Sequence, residues 1–117
     1  MFKYFLFTFV TLIISSCETN VVKSDDSLED CSVIQESYYD TSVASIMSQS
    51  CNGCHAGGSP SGGIRTDNYS DVKNGISNIL NRVERDINMS GFMPLSGQKL
   101  SDEKISILQA FLDMECE

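Results

Sequence analysis

The chain lacks tryptophan, has a single histidine and is poor in basic residues. Its 117 residues include 8 Lys and Arg against 16 Asp and Glu, for a formal net charge of −8. Such an acidic surface repels polyanions, which excludes a nucleic-acid binder. The length excludes a multidomain enzyme and predicts one small domain with little stability to spare. The chain has four Tyr and six Phe. Five of these ten aromatic residues lie in the first 16 positions, so the remainder has few large side chains for a core.

The chain also has no apolar run that matches the thickness of a bilayer. Residues 1–16 combine Lys3 with an apolar stretch at 4–14 and two serines before Cys17. Eleven helical residues rise only about 16 Å, against a hydrocarbon layer of roughly 30 Å. Positive, apolar and small residues in this order are typical of a signal peptide, so we predict that 1–16 is a removable leader. An uncleaved anchor is the alternative.

The residues around Cys17, Ile-Ser-Ser-Cys, resemble the lipobox of bacterial lipoproteins. This resemblance implies that Cys17 carries lipid and anchors the chain to a bacterial membrane, on the periplasmic side or at the cell surface. The outer membrane of a Gram-negative cell is the favoured location, and an ordinary signal peptide with an incidental Cys is the alternative. Residues 17–30 are acidic and lack apolar periodicity, which predicts a disordered tether.

The strongest motif in the chain is Cys51-Asn52-Gly53-Cys54-His55. Two thiols three residues apart can add to the two vinyl groups of a haem, and the adjacent His then faces the iron. Cys51 and Cys54 are therefore predicted to form thioethers to one covalently bound haem c. His55, the only histidine, is predicted to be the proximal axial ligand.

A zinc half-site and a thiol redox pair are the alternatives for this motif. Zinc would need two more ligands, and the remaining candidates, Cys31 and Cys116, are distant in sequence. A thioredoxin-like pair would begin a helix that follows a strand. The segment before Cys51 instead has the apolar spacing of a helix with two candidate N-caps: Asp40, Thr41, Val43, Ile46 and Met47.

Two further helices are predicted downstream. The middle one has an apolar stripe at helical spacing: Ile76, Ile79, Leu80, Val83 and Ile87. The last one begins with Ser101 as N-cap and has Leu100 and Ile105 placed as a hydrophobic staple. Three short helices with few aromatics make a poor core by themselves, and a haem between them would supply the missing apolar volume.

Together these features resemble the small class I c-type cytochromes, over a domain predicted at 31–117. The resemblance implies an all-α fold in which three to four short helices surround one covalent haem. In that family a Met from the second loop, often followed by Pro, is the sixth ligand, and Gly91-Phe92-Met93-Pro94 matches this pattern. Pro94 disfavours helix at Met93 and stiffens the loop. Met93 is therefore the implied distal ligand, with Met89 as the less favoured alternative.

Further residues are candidates to orient the haem and its ligands. An axial His normally donates its other ring N–H to an acceptor, and the Gly-rich loop 56–63 is expected to offer a backbone carbonyl. Four side chains are candidates for contacts to the haem propionates: Arg65, Tyr69, Arg82 and Arg85. Solvated surface charge and a packed ring are their alternative roles.

The two remaining cysteines, Cys31 and Cys116, flank the predicted domain. In class I cytochromes the first and last helices cross, which implies that these two residues approach closely enough for a disulfide. Such a staple would suit a marginal domain in an oxidising compartment. Two free thiols are the alternative.

The resemblance implies a membrane-tethered electron carrier with His/Met ligation rather than an enzyme. Its acidic surface would steer a redox partner protein that carries a basic patch. Two other functions stay open: a haem-bearing accessory subunit of a larger complex, and an open-haem ligand sensor or peroxidase-like module.

Overall fold

Helices account for every regular element in the computed structural model, which describes residues 26–114 and Cys116. The predicted leader, Cys17 and residues 18–25 of the tether lie outside the described residues. The elements are α1 (Asp26–Tyr38), a π-helical turn (Tyr39–Val43), α2 (Ala44–Ser50), α3 (Asn52–His55), a 3-10 turn (Ser61–Gly63), α4 (Tyr69–Val83) and α5 (Asp102–Asp113). The predicted all-α class is confirmed for this part of the chain. None of the described helices is long and apolar enough to cross a membrane.

The first helical run is longer than the sequence predicts. It begins at Asp26, inside the segment predicted as a tether, and continues through the π-helical turn to Ser50.

The predicted N-caps Asp40 and Thr41 are wrong, because both residues lie inside this run. The Thr41 hydroxyl donates to the Ser37 carbonyl at 2.8 Å, as a Thr within a helix does. The predicted apolar positions Val43, Ile46 and Met47 are buried, and the buried face begins earlier than Val43, at Gln35 and Tyr39.

Helix α4 has the predicted apolar stripe but ends before its last predicted member. Asn68 caps it by accepting from the Asp71 N–H at 2.9 Å, and Val83 is its last residue. The Arg82 carbonyl, which would continue the helix, accepts instead from the Met93 N–H at 3.2 Å. Ile87 therefore lies beyond the helix and is 52% exposed, so its assignment to the stripe is wrong.

Helix α5 begins as the sequence predicts. The Ser101 hydroxyl accepts from the Lys104 N–H at 3.3 Å, which makes Ser101 the N-cap. Leu100 is buried and Ile105 packs against the core. One face of α5 thereby completes the core, which comprises Tyr39, Val43, Ile46, Met47, Val72, Ile76, Ile79, Leu80, Val83, Leu100, Leu108 and Phe111.

A buried glutamine joins the three long helices. Gln35 of α1 is 3% exposed. Its amide donates to the Phe111 carbonyl of α5 at 3.4 Å, and its carbonyl oxygen accepts from the Tyr69 hydroxyl of α4 at 2.9 Å. The rings of Tyr39, Tyr69 and Phe111 make edge and tilted contacts around it. Because both ends of the amide are hydrogen-bonded, the cost of burying this polar group is offset, and its two bonds connect α1 to α4 and α5.

The ends of the domain meet at the second pair of cysteines. Cys31 of α1 and Cys116, beyond α5, form a disulfide with Cα atoms 5.8 Å apart. This separation lies within the range that a disulfide spans without backbone movement. The first and last helices thus approach each other on the side of the fold where Gln35 contacts Phe111.

The disulfide between Cys31 and Cys116 is expected to contribute strongly to the stability of the folded domain. It closes a loop with a sequence separation of 85, so the double variant Cys31→Ser/Cys116→Ser should lose about 4 kcal/mol of the free energy of unfolding. Urea unfolding of both proteins measures the loss. A reductant should reproduce the loss in the wild type and leave the double variant unchanged. Alkylation of both thiols in the unreduced wild type would contradict the bridge.

Candidate functional site

The C-x-x-C-H motif occupies a single turn at the end of α2. Cys51 donates its N–H to the Met47 carbonyl at 2.9 Å, and its own carbonyl accepts from Cys54 at 3.1 Å and His55 at 3.0 Å. The turn therefore presents two thiols and one imidazole from five consecutive residues. Cys51 packs against the core and Cys54 is exposed, and neither forms a disulfide.

Burial affects the two thiols of this turn differently, because only Cys51 packs against the core. Burial raises the pKa of the Cys51 thiol, and the nearby charge of Lys104 offsets only part of this rise. Lys104 is held there by donating to the Gln49 side chain at 3.3 Å. Thiol redox pairs depend on a lowered thiol pKa. The raised pKa of Cys51 therefore disfavours a thiolate at this one position, and the redox-pair alternative stays open.

The imidazole of His55 is oriented by one hydrogen bond. Its Nδ1 lies 3.2 Å from the carbonyl oxygen of Ile64. A carbonyl can only accept, so Nδ1 carries the proton and the Nε2 lone pair is left for a metal. The sequence predicted a carbonyl from the Gly-rich loop 56–63, and the acceptor is the residue directly after that loop.

Thr66 attaches the main chain of the motif to the same segment. It is 2% exposed, and its N–H donates to the His55 carbonyl at 2.8 Å. Its hydroxyl donates to the Asn52 side chain at 2.8 Å. Residues 64–66 thus hold both the ring and the backbone of His55. The sequence analysis missed Thr66 and Asn52, since no local pattern pairs residues 14 apart in an irregular segment.

Asp67 closes the Gly-rich loop. Its carboxylate accepts from the Gly57 N–H at 3.0 Å and from two guanidinium nitrogens of Arg65, each at 3.2 Å. The Gly57 hydrogen bond, followed by the Arg65 contact, lowers the pKa of Asp67 to about 2. Gly57 has a φ of 77°, which suits glycine at the tight turn after His55. Sequence reasoning missed Asp67 as well.

The Met93 loop, residues 89–97, approaches the core from the other end of α4. Met93 packs against the core cluster, and the neighbouring Phe92 is buried. Gly91 and Gly97 flank Met93 with φ of 78° and 77°, a left-handed conformation that suits glycine. Met89, in contrast, is 55% exposed. Among the two methionines considered as ligands, Met93 is the one held against the core that Cys51 also contacts.

The four candidates for propionate contacts all have partners within the chain. Arg65 forms an ion pair with Asp67 at 3.2 Å, and the Tyr69 hydroxyl donates to Gln35. Arg82 and Arg85 donate to main-chain carbonyls of the Met93 loop, at 3.5 Å and 2.6 Å. These contacts give each residue a structural role, and the propionate contacts stay a prediction.

Exposed aliphatic side chains lie beside both candidate ligands. Ile64, whose carbonyl binds His55, is 43% exposed, and Leu95, two residues after Met93, is 79% exposed. Exposed apolar side chains are candidates to be covered by a bound group. The donors present, two free thiols and one imidazole on a single turn, would fit a cofactor that is attached covalently and binds a metal.

Comparisons with known proteins add nothing to this site. No family model matches the chain, and neither the curated proteins nor the solved structures give a significant match. Within the described part of the chain, no group of three or more His, Cys, Asp and Glu side chains is placed to hold a metal ion.

The lowered pKa of Asp67 predicts a pH-dependent contribution to stability. A carboxylate stabilised in the folded state contributes fully above its ordinary pKa of 3.8, and this contribution is lost as the pH falls towards about 2. Asp67→Asn should therefore have a lower melting temperature than the wild type at neutral pH, and the difference should shrink between these two values. Asp86→Asn, in an exposed turn, controls for net charge. A difference that does not change with pH would contradict this role.

Proposed function

We propose that this chain is a c-type cytochrome that transfers single electrons. Cys51 and Cys54 would hold one haem through thioethers, His55 would bind the iron through Nε2, and Met93 would supply the sixth ligand. The observation that carries this proposal is the hydrogen bond from His55 Nδ1 to Ile64, on the same turn as two free thiols. It leaves one nitrogen of the only histidine available for a metal.

The residues around the motif would give the haem a rigid attachment. When bound, the haem supplies an iron that alternates between the ferric and ferrous states. Thr66 holds the main chain of His55 while Ile64 holds its ring. A ligand fixed at two points needs little reorganisation when the charge on the metal changes. Ile64 and Leu95 would be covered by the porphyrin and would exclude water from the iron.

The favoured ligand pair bears on the direction of electron flow. His/Met ligation raises the reduction potential of a haem by favouring the ferrous state. The chain would thus accept electrons readily and pass them to a stronger oxidant. We propose no catalytic group, because the carrier needs only to bind its partners and exchange an electron.

The acidic composition supports a basic partner. The whole chain has a formal net charge of −8, so it would attract a redox protein that presents Lys and Arg, and this association would weaken with salt. We further propose that lipid on Cys17 tethers the chain to a bacterial membrane. The tether would confine the search for partners to the membrane surface.

The first prediction from the proposed function concerns attachment of the haem. Protein made with the cytochrome c maturation machinery should give a positive pyridine haemochrome assay, with one haem per chain. Cys51→Ala/Cys54→Ala should lose the covalent haem, whereas Cys31→Ser/Cys116→Ser should retain it, because only the first pair lies on the turn with His55. Stoichiometric zinc and no haem in the matured wild type would contradict the proposal.

The second prediction concerns the sixth ligand. Met93→Ala should lower the reduction potential and allow the reduced protein to bind carbon monoxide, because it removes the thioether. Met89→Ala is the matched control and should leave both properties unchanged, since Met89 is exposed.

The reverse outcome, with Met89→Ala altering the potential and Met93→Ala neutral, would show that the ligand is Met89. Tight binding of carbon monoxide by the unaltered reduced protein would favour an open-haem sensor or peroxidase-like module over an electron carrier.

A further inference from the structure

Two arginines in the last turn of α4 and just beyond it bind the main chain of the Met93 loop. Arg85 Nη1 donates to the Ser90 carbonyl at 2.6 Å, and Arg82 Nη1 donates to the Gly91 carbonyl at 3.5 Å. The Arg82 carbonyl accepts from the Met93 N–H at 3.2 Å. The loop is therefore attached at the candidate ligand and at the residues that lead into it.

The guanidinium of Arg85 is itself held in one orientation. Its Nε donates to the Asn81 carbonyl at 3.1 Å, and its Nη2 donates to the Asn81 side chain at 2.7 Å. The planar fork thus binds α4 with two nitrogens and the loop with the third. A lysine would keep the charge but lacks this fork, so it could not make the three contacts together.

Gly91 fits closely beneath the two guanidinium groups. A Cβ at this position would clash with Arg82 Nη1 and would lie 2.8 Å from Arg85 Nη1. Its φ of 78° is also one that L side chains rarely adopt. The absence of a side chain therefore allows both arginines to reach the loop.

We propose that Arg85, oriented by Asn81, is a positioning residue that holds the Met93 loop against α4 and keeps the Met93 thioether at the sixth position of the haem. This inference rests on the proposed function. It differs from a propionate contact, in which the guanidinium would bind the cofactor rather than the Ser90 carbonyl. The hydrogen bond from Arg82 to the Gly91 carbonyl contributes to the same attachment of the loop.

The test compares Arg85→Lys, Asn81→Ala and the control Lys99→Gln in the haem-loaded protein. Arg85→Lys should raise the affinity of the reduced protein for carbon monoxide by about tenfold, the factor expected when a hydrogen bond to a charged group is lost. The Met93 amide should exchange its hydrogen faster by a similar factor. Asn81→Ala should change both in the same direction but less. Lys99→Gln removes one exposed positive charge near the loop and should resemble the wild type.

Wild-type behaviour of Arg85→Lys in both measurements would overturn the inference, because charge alone would then suffice. Tighter binding of carbon monoxide without faster exchange of the Met93 amide would also overturn it, because the loop would not have moved. A matured wild type without haem, measured by the pyridine haemochrome assay on the same samples, would instead overturn the proposed function and the inference with it.

Discussion

The hydrogen bond between the His55 ring and the Ile64 carbonyl is the constraint on which the site depends. It determines which imidazole nitrogen carries the proton, and so which one can bind a metal. The bond requires the chain to return to the motif within nine residues, which the Gly-rich loop accomplishes. Asp67 closes this loop through Gly57, and Thr66 secures the backbone of His55. A short irregular segment therefore organises the chemistry of the whole motif.

The rest of the fold brings Met93, the candidate for a second ligand, to the core that Cys51 also contacts. Helix α2 delivers Cys51 to one end of the core, and the loop after α4 delivers Met93 to it. The crossing of α1, α4 and α5 around Gln35 fixes the relation of these elements. With few aromatics and no Trp, such a core has little stability of its own. A covalent cofactor and a disulfide would each compensate for that in a small domain.

Local sequence patterns predicted the structural features that depend on residues close together in the sequence. Apolar spacing located α4 and the buried face of α2, and Ser101 was identified as a cap because its hydroxyl satisfies a nearby N–H. The limits of the helices were harder to predict. Asp40 and Thr41 resemble caps, but the buried face already extends through Gln35 and Tyr39, so the helix continues past them.

The contacts of Thr66 and Asp67 had no signal in the sequence. Thr66 with Asn52 and Asp67 with Gly57 depend on how a loop folds back, which no periodicity encodes. The roles of Arg82 and Arg85 likewise became visible only when their carbonyl partners were located. The proposed roles of the motif residues follow from their spacing in sequence, whereas the contacts that support them come from residues at a distance.

The most direct test of the proposed haem attachment is peptide mass mapping of the protein matured with the cytochrome c machinery. We expect the peptide that contains Cys51, Cys54 and His55 to carry the mass of one haem, with neither thiol open to alkylation. The same peptide recovered without added mass, with both thiols alkylated, would contradict the central claim.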